Sequence, residues 1–342
     1  MATTSIEWTD RVWNPVTGCT KVSAGCKNCY AETIADRFWA TQYPDGVPTG
    51  RHDAGGNAPE MRPRRFTDVW THDDRLRDPL SWRKPARVFV NSMSDLFHED
   101  VPDEFIDRVF AVMHLAERHV FQALTKRPER MLAYVSSRPR DAAKPDQVVI
   151  ATELGEGHYS VPWPLPNVWL GVSVEDQPRA DERIPLLLQT PAAVRFISAE
   201  PLLGPVDLSP WLLVETIGGV ELERWLDWVI VGGESGPGAR PCNLEWIRSI
   251  VEQCHSANVK CFVKQLGVDP RGSCGWEHHD ECPPQMLDEH GTLTSVTGKP
   301  GTLCHAVGDA WWPCRLKLKD RKGGAPEEWP EYFRRREFPC AK

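Results

Sequence analysis

Val88-Phe89-Val90-Asn91-Ser92-Met93-Ser94-Asp95 is a short β-branched and aromatic run that breaks off into polar residues. Such runs form strands, and strands that are apolar almost throughout are buried on both faces, as in parallel sheets. The pattern repeats along the chain. Phe121–Leu124 ends in Thr125-Lys126-Arg127, and Trp169–Val172 ends in Ser173-Val174-Glu175-Asp176. Arg195-Phe196-Ile197 ends in Ser198-Ala199-Glu200, Val229-Ile230-Val231 in Gly232-Gly233-Glu234, and Cys261-Phe262-Val263 in Lys264-Gln265.

The runs begin at Arg87, Val120, Val168, Val194, Trp228 and Lys260, separated by 33, 48, 26, 34 and 32 residues. A strand with its crossover helix takes ~30 residues, so the rhythm predicts βα units. Helical patterns lie between the runs. One spans Pro102–Glu117, a second opens at Pro128, and a third carries Ile247, Ile250, Val251 and Cys254. Pro201, Pro205 and Pro210 argue against a full helix after Ile197. Residues 43–80, rich in Gly, Pro, Asp and Arg, read as a long connecting loop or lid. With a first strand inside residues 1–18, the expectation is an α/β fold: a parallel (βα) barrel, closed or partial, over residues 1–268. Residues 269–342 form an irregular C-terminal extension.

In a parallel barrel the C-terminal strand ends meet on one face, and sites form there. One such polar residue is usually a solvated loop charge; six strands repeating the pattern favour a shared pocket. Individual bland roles remain open: Asp95 as a helix cap, Arg127 as a surface charge, Lys264 as a structural partner of Glu234.

The first strand leads into Gly18-Cys19-Thr20-Lys21-Val22-Ser23-Ala24-Gly25-Cys26-Lys27-Asn28-Cys29-Tyr30, a C-x6-C-x2-C loop. Clustered thiolates hold soft metals or iron–sulfur clusters. A closed structural zinc site takes four ligands, so three point to a centre with a vacant position. A helix from about Tyr30 to Thr41 puts its amino-terminal N–H groups beside an anionic group.

The totals narrow the classes. Net charge is −8 over 342 residues, so attraction to nucleic acid must be local. No run approaches the ~20 apolar residues of a membrane span, and the N-terminus lacks the features of a signal peptide. A cytoplasmic protein is expected, its eleven cysteines reduced. Cys274, Cys282, Cys304 and Cys314, with His278, His279, His290 and His305, suggest a second zinc or cluster site or else an irregular insertion. A basic tail with Arg334-Arg335-Arg336 either packs on the barrel or meets a phosphate-bearing substrate.

Ile6-Glu7-Trp8-Thr9, the cysteine loop, Asn91 to His98, Leu124 to Pro128, Gly171 to Gln177, Ser198 to Leu202, Gly232 to Pro237 and Phe262 to Gln265 stand in this order. Together they resemble the phage-associated three-cysteine-motif proteins, a family of unknown function grouped with radical S-adenosylmethionine (SAM) enzymes. The resemblance covers residues 5–268 and about 316–339. It implies a radical-SAM-like barrel in which Cys19, Cys26 and Cys29 hold a [4Fe–4S] cluster whose fourth iron binds SAM. An external electron donor then reduces the cluster, SAM is cleaved, and a 5′-deoxyadenosyl radical abstracts hydrogen. Asn91, Ser92, Asp95, Ser173, Glu175, Ser198 and Glu200 are the candidates to bind SAM. Lys126, Glu234 and Lys264 are candidate catalytic groups, and Arg127 and Gln265 candidate substrate contacts. Two departures stand out. The usual radical-SAM loop is C-x3-C-x2-C with an aromatic residue before the last cysteine, whereas Asn28 precedes Cys29 and Tyr30 follows it. The glycine-glycine-glutamate expected after the second strand is replaced by Asn91-Ser92-Met93-Ser94-Asp95.

Three function classes follow. One is a radical-SAM-like enzyme acting on nucleic acid or a nucleotide. A second is a non-catalytic metal-binding protein, with zinc or a cluster, that recognises nucleic acid or a protein partner. A third is an enzyme acting on a phosphorylated metabolite through the barrel rim alone.

Overall fold

The computed structural model describes residues 4–48, 61–138, 147–151, 158–212, 214–217 and 220–272, with short segments from 285 to 339. Seven parallel strands follow chain order in the sheet: β1 (Arg11–Trp13), β2 (Arg87–Val90), β3 (Val120–Thr125), β4 (Val168–Ser173), β5 (Val194–Ala199), β6 (Trp228–Gly232) and β7 (Lys260–Gln265). This is an α/β fold around a large parallel sheet. The longer helices are α1 (Tyr30–Gln42), α2 (Asp103–Leu115), α3 (Pro128–Ser136), α4 (Gln177–Gln189) and α5 (Leu244–Ser256). Among the described residues, no helix is long and apolar enough to cross a membrane.

All six strands expected after residue 80 are present, their ends within two residues of expectation. Their burial explains the match, since every described side chain of β4 and β6 is buried. α2 starts one residue later than expected because Pro102 caps it with an extended backbone (ψ 143°) instead of entering the first turn. Asp103 and Glu104 then lie in the first turn, where the helix dipole favours negative charge. α4, which the sequence pattern left unmarked, carries Pro185 in its interior.

The chain divides into two compact units: residues 1–173, 181–198 and 340–342, and residues 174–180 with 199–339. In the first unit, Phe89, Gln122 and Trp169 are register partners on β2, β3 and β4. The Trp8 ring lies 4.6 Å from Phe89 and 6.5 Å from Phe196, so one sheet face is aromatic-filled. Trp13 packs on Phe121 at 5.7 Å, and its indole N–H donates to Arg75 O at 2.9 Å. In the second unit, residues 335–338 lie along β7. Val263 N–H donates to Arg335 O and Glu337 N–H to Cys261 O, both at 2.9 Å. Phe338 covers Trp228 and Phe262, with ring centroids 5.6 and 5.2 Å away.

Described parts of the 43–80 segment, expected as a loop or lid, are otherwise employed. Trp70–Thr71 pairs antiparallel with Val16–Thr17, and Arg64 lies in an aromatic box with its guanidinium carbon 3.8 Å from the Trp39 ring and 4.4 Å from Trp70. Arg64 Nη2 also donates to Thr17 Oγ1 at 2.7 Å. Stacking on aromatic faces lets a guanidinium be buried, so composition alone concealed a packed foundation for the cysteine loop.

Candidate functional site

The cysteine loop leaves β1 through Gly18, whose φ of +95° suits glycine. A Cβ there would lie 2.2 Å from Asp68 O, so no other residue fits without backbone movement. Cys19 N–H donates to Phe66 O at 2.9 Å, and Gly18 N–H to Met93 O at 3.0 Å. The polar run after β2 completes the cradle. Asn91 Oδ1 accepts from Val16 N–H at 3.3 Å, and Ser94 Oγ donates to Val16 O at 2.9 Å. Asn14 Oδ1 accepts from Ser92 Oγ at 3.2 Å and from Met93 N–H at 3.1 Å. At the far end of the loop, the Tyr30 hydroxyl donates to Ser92 O. Asn91-Ser92-Met93-Ser94 is therefore bonded to the strand–loop junction.

Asp95 and Arg127 hold the rim. Asp95 accepts from Thr125 Oγ1 at 2.7 Å, Phe97 N–H at 3.0 Å, Lys126 N–H at 3.0 Å and Arg127 Nη1 at 3.3 Å. Arg127, 7 % exposed, spreads its guanidinium over the loop. Nε donates to Glu99 Oε2 at 2.9 Å, Nη2 to Thr20 Oγ1 at 2.8 Å, and Nη1 to Cys19 Sγ at 3.6 Å. Beneath it, His98 is fully buried. Its Nδ1 accepts from Asp100 N–H at 3.1 Å, which leaves Nε2–H to donate to Thr20 Oγ1 at 2.8 Å. Burial and Arg127 hold the His98 pKa below its ordinary value, which matches this neutral tautomer.

The thiols differ. Burial and the Asp95 charge push Cys19 up to about 12, against the opposing pull of Arg127. Burial also acts to raise Cys26, but Lys126 and the Val22 and Ser23 backbone outweigh it, so its pKa falls below the usual thiol value. All three loop cysteines are half-buried and free. Among the described residues, no set of three His, Cys, Asp or Glu side chains is gathered as for a metal ion. By donor chemistry the loop nonetheless fits a sulfur-ligated iron group: three unpaired thiols on one short loop, with Lys126 and Arg127 supplying positive charge.

Ser173 and Ser198 are register partners on β4 and β5, each 2 % exposed. The second unit holds the other candidates. Lys264 Nζ lies 3.1 Å from Glu200 Oε1. Gly232 makes room for this pair, since a Cβ there would sit 2.9 Å from Glu200 Oε1. Glu234 is clasped by Arg240, through Nη2 at 2.6 Å, Nε at 2.9 Å and the backbone N–H at 2.8 Å. The charge of buried Glu175 also acts on Arg240. Gln265 Nε2 donates to Gly233 O at 2.9 Å. Arg334 and Arg336 of the basic tail donate to backbone carbonyls, Arg334 to Trp329 and Arg336 to Lys264.

Several participants were missed from sequence: Asn14, Thr20, Tyr30, Glu99 and Arg240. Four of them act through contacts far apart in the chain, which no local pattern signals. Arg240, six residues after Glu234, had a local signal in the charge spacing. The candidate second metal site at Cys274, Cys282 and Cys304 with its histidines lies outside the described residues, as does the Cys314 side chain.

A family model described as a protein of unknown function (DUF5131) matches residues 3–292. No curated protein matches. No solved structure matches either.

Proposed function

Because the chain belongs to the DUF5131 family of proteins of unknown function, we propose its function from its own residues: an iron–sulfur, radical-SAM-like enzyme on a partial (βα) barrel. The observation that carries this is the cysteine loop, whose three free thiols sit on a segment fastened by Gly18, Cys19, Thr20 and Tyr30 to the rim of the sheet. Cys19, Cys26 and Cys29 would hold a [4Fe–4S] cluster, which with SAM supplies reductive cleavage of a carbon–sulfur bond and a radical that abstracts hydrogen.

The chain's own groups bind, orient and exclude water. Lys126 and Arg127 offset the negative charge of thiolate ligands. In the first unit the side-by-side Ser173 and Ser198 hydroxyls suit a ribose. In the second unit Glu175 and Glu200 suit an ammonium group, with Lys264, Glu234 and Gln265 beside them for substrate. Asn91, Ser92 and Asp95 support the loop in addition to, or in place of, contacting SAM. A nucleic-acid or nucleotide substrate rests on Lys126 and Lys264, with less weight on the tail because Arg334 and Arg336 already serve backbone carbonyls. Reduction requires an external electron donor, and a cytoplasmic setting keeps the thiols available.

The deciding experiment is anaerobic isolation followed by iron and sulfide analysis. About four irons per chain, lost in Cys19→Ser, Cys26→Ser and Cys29→Ser, with 5′-deoxyadenosine released from SAM under reductant, is the expected result. A colourless protein with stoichiometric zinc overturns it.

A further inference from the structure

The three cysteines look equivalent in sequence, yet among the described residues it is Cys19 whose sulfur receives a guanidinium N–H. Arg127 Nη1 lies 3.6 Å from Cys19 Sγ. Nη2 of the same guanidinium donates to both Thr20 O at 3.2 Å and Thr20 Oγ1 at 2.8 Å. Arg127 is itself fixed from behind by Asp95, 5 % exposed, and from the side by Glu99. His98 Nε2–H shares the Thr20 hydroxyl, which passes its own proton toward Glu99 Oε1 at 3.4 Å. A planar fork can satisfy a sulfur, a carbonyl and a hydroxyl at once; an ammonium on a flexible stem holds them less well.

We propose that Arg127 is a positioning residue that singles out Cys19: it clamps the Cys19–Thr20 segment to the rim and donates N–H···S to that sulfur, raising the reduction potential of iron bound there. Donation to a ligand sulfur favours the electron-richer state, so losing it makes the centre harder to reduce. The clamp stands on the geometry alone. The potential rests on the iron–sulfur function proposed above, so the two parts are tested by different readouts.

The first readout is hydrogen exchange on the metal-free, reduced, full-length chain. Arg127→Gln should speed exchange of the amides of residues 18–21 about tenfold, the cost of a lost charge-assisted hydrogen bond. Helix α1 beyond its first turn should be unchanged. Thr20→Val, which leaves every charge in place, should speed the same amides less. Unchanged exchange in both variants overturns the clamp, as does a uniform rise across the first unit in Thr20→Val. The second readout is the midpoint potential of the iron-loaded protein at equal iron content. It should move negative in Arg127→Gln, recover in part in Arg127→Lys, and stay put in Thr20→Val, which loosens the loop without removing the N–H···S donor. An unchanged potential in Arg127→Gln overturns the tuning. If the wild-type chain binds no iron, the cluster assignment and the tuning both fall, while the exchange result still decides the clamp.

Discussion

The cysteine-loop rim and the Glu200–Lys264–Glu234–Arg240 group are both rich in charge at strand ends, but they are built differently. At the rim, each charged group has several partners, some drawn from far along the chain: Arg127 reaches back 107 residues to Thr20 and 28 to Glu99. In the second unit the pairs are simpler. Glu234 is clasped by Arg240 six positions on, and Lys264 Nζ lies 3.1 Å from Glu200 Oε1 while 25 % of the lysine side chain stays exposed. Shared, buried hydrogen bonds make a rigid scaffold, whereas water screens an ion pair whose lysine is partly exposed. The rim is therefore the stiffer of the two, and the Glu200–Lys264 pair the contact most open to water.

The sharpest way to break this contrast is Asp95→Ala. It leaves buried Arg127 with Glu99 as its remaining carboxylate partner among the described residues, and strips acceptors from Thr125, Phe97 and Lys126. Removing one partner of a buried pair costs about 3–5 kcal/mol, so urea unfolding should show a loss of that order. A loss no larger than that of a surface pair would mean the rim is not a cooperative network. Gly18→Ala comes next. The positive φ and the approach of Asp68 O should cost roughly 3 kcal/mol, read as a lowered melting temperature, with Gly236→Ala as control. Gly236 also has positive φ, but nothing lies within 4 Å of an added Cβ there.

The parallel strands were legible because burial on both faces writes them as apolar runs, and their polar ends were legible for the same reason: Val90 to Asn91 marks the end of β2, and Ile197 to Ser198 falls two residues short of the end of β5 at Ala199. What those polar residues do was not. Asn91, Ser92 and Asp95 read as ligand-binding groups, yet their partners include Asn14, Val16, Thr125 and Arg127, contacts that only the folded chain brings together. Arg64 was hidden more deeply. Its stretch has the composition of a loop, and the aromatic box of Trp39, Tyr43 and Trp70, with hydrogen bonds to Thr17 and the Tyr43 hydroxyl, explains its burial.

The foundation of the rim carries its own pH signature. Burial, with Arg75 and Arg64 nearby, pushes His72 down to about 4, and its Nε2 lies 2.7 Å from Thr17 Oγ1. A histidine depressed in the folded state refuses a proton that the unfolded chain accepts. Stability should be complete above pH 6.5, the ordinary value, and fall as pH drops toward 4. Linkage puts the loss at roughly 2 kcal/mol by about pH 5. His72→Gln should flatten that part of the stability profile; an unchanged slope would show that His72 is not the group responsible.

The smallest effect is expected in the second unit. Glu200→Gln removes the charge opposite Lys264 while keeping the shape of the side chain. Because Lys264 is partly exposed, water can replace the lost partner, and the cost should be about 1 kcal/mol or less. A loss of several kcal/mol would make the Glu200–Lys264 pair a buried scaffold like Asp95–Arg127, and the division between a stiffer rim and a pair open to water would fail. If stability is nearly kept, the same variant becomes the cleanest test of Glu200 as a ligand contact. SAM affinity measured by equilibrium dialysis should then fall with the fold intact, because an amide cannot replace a carboxylate opposite an ammonium.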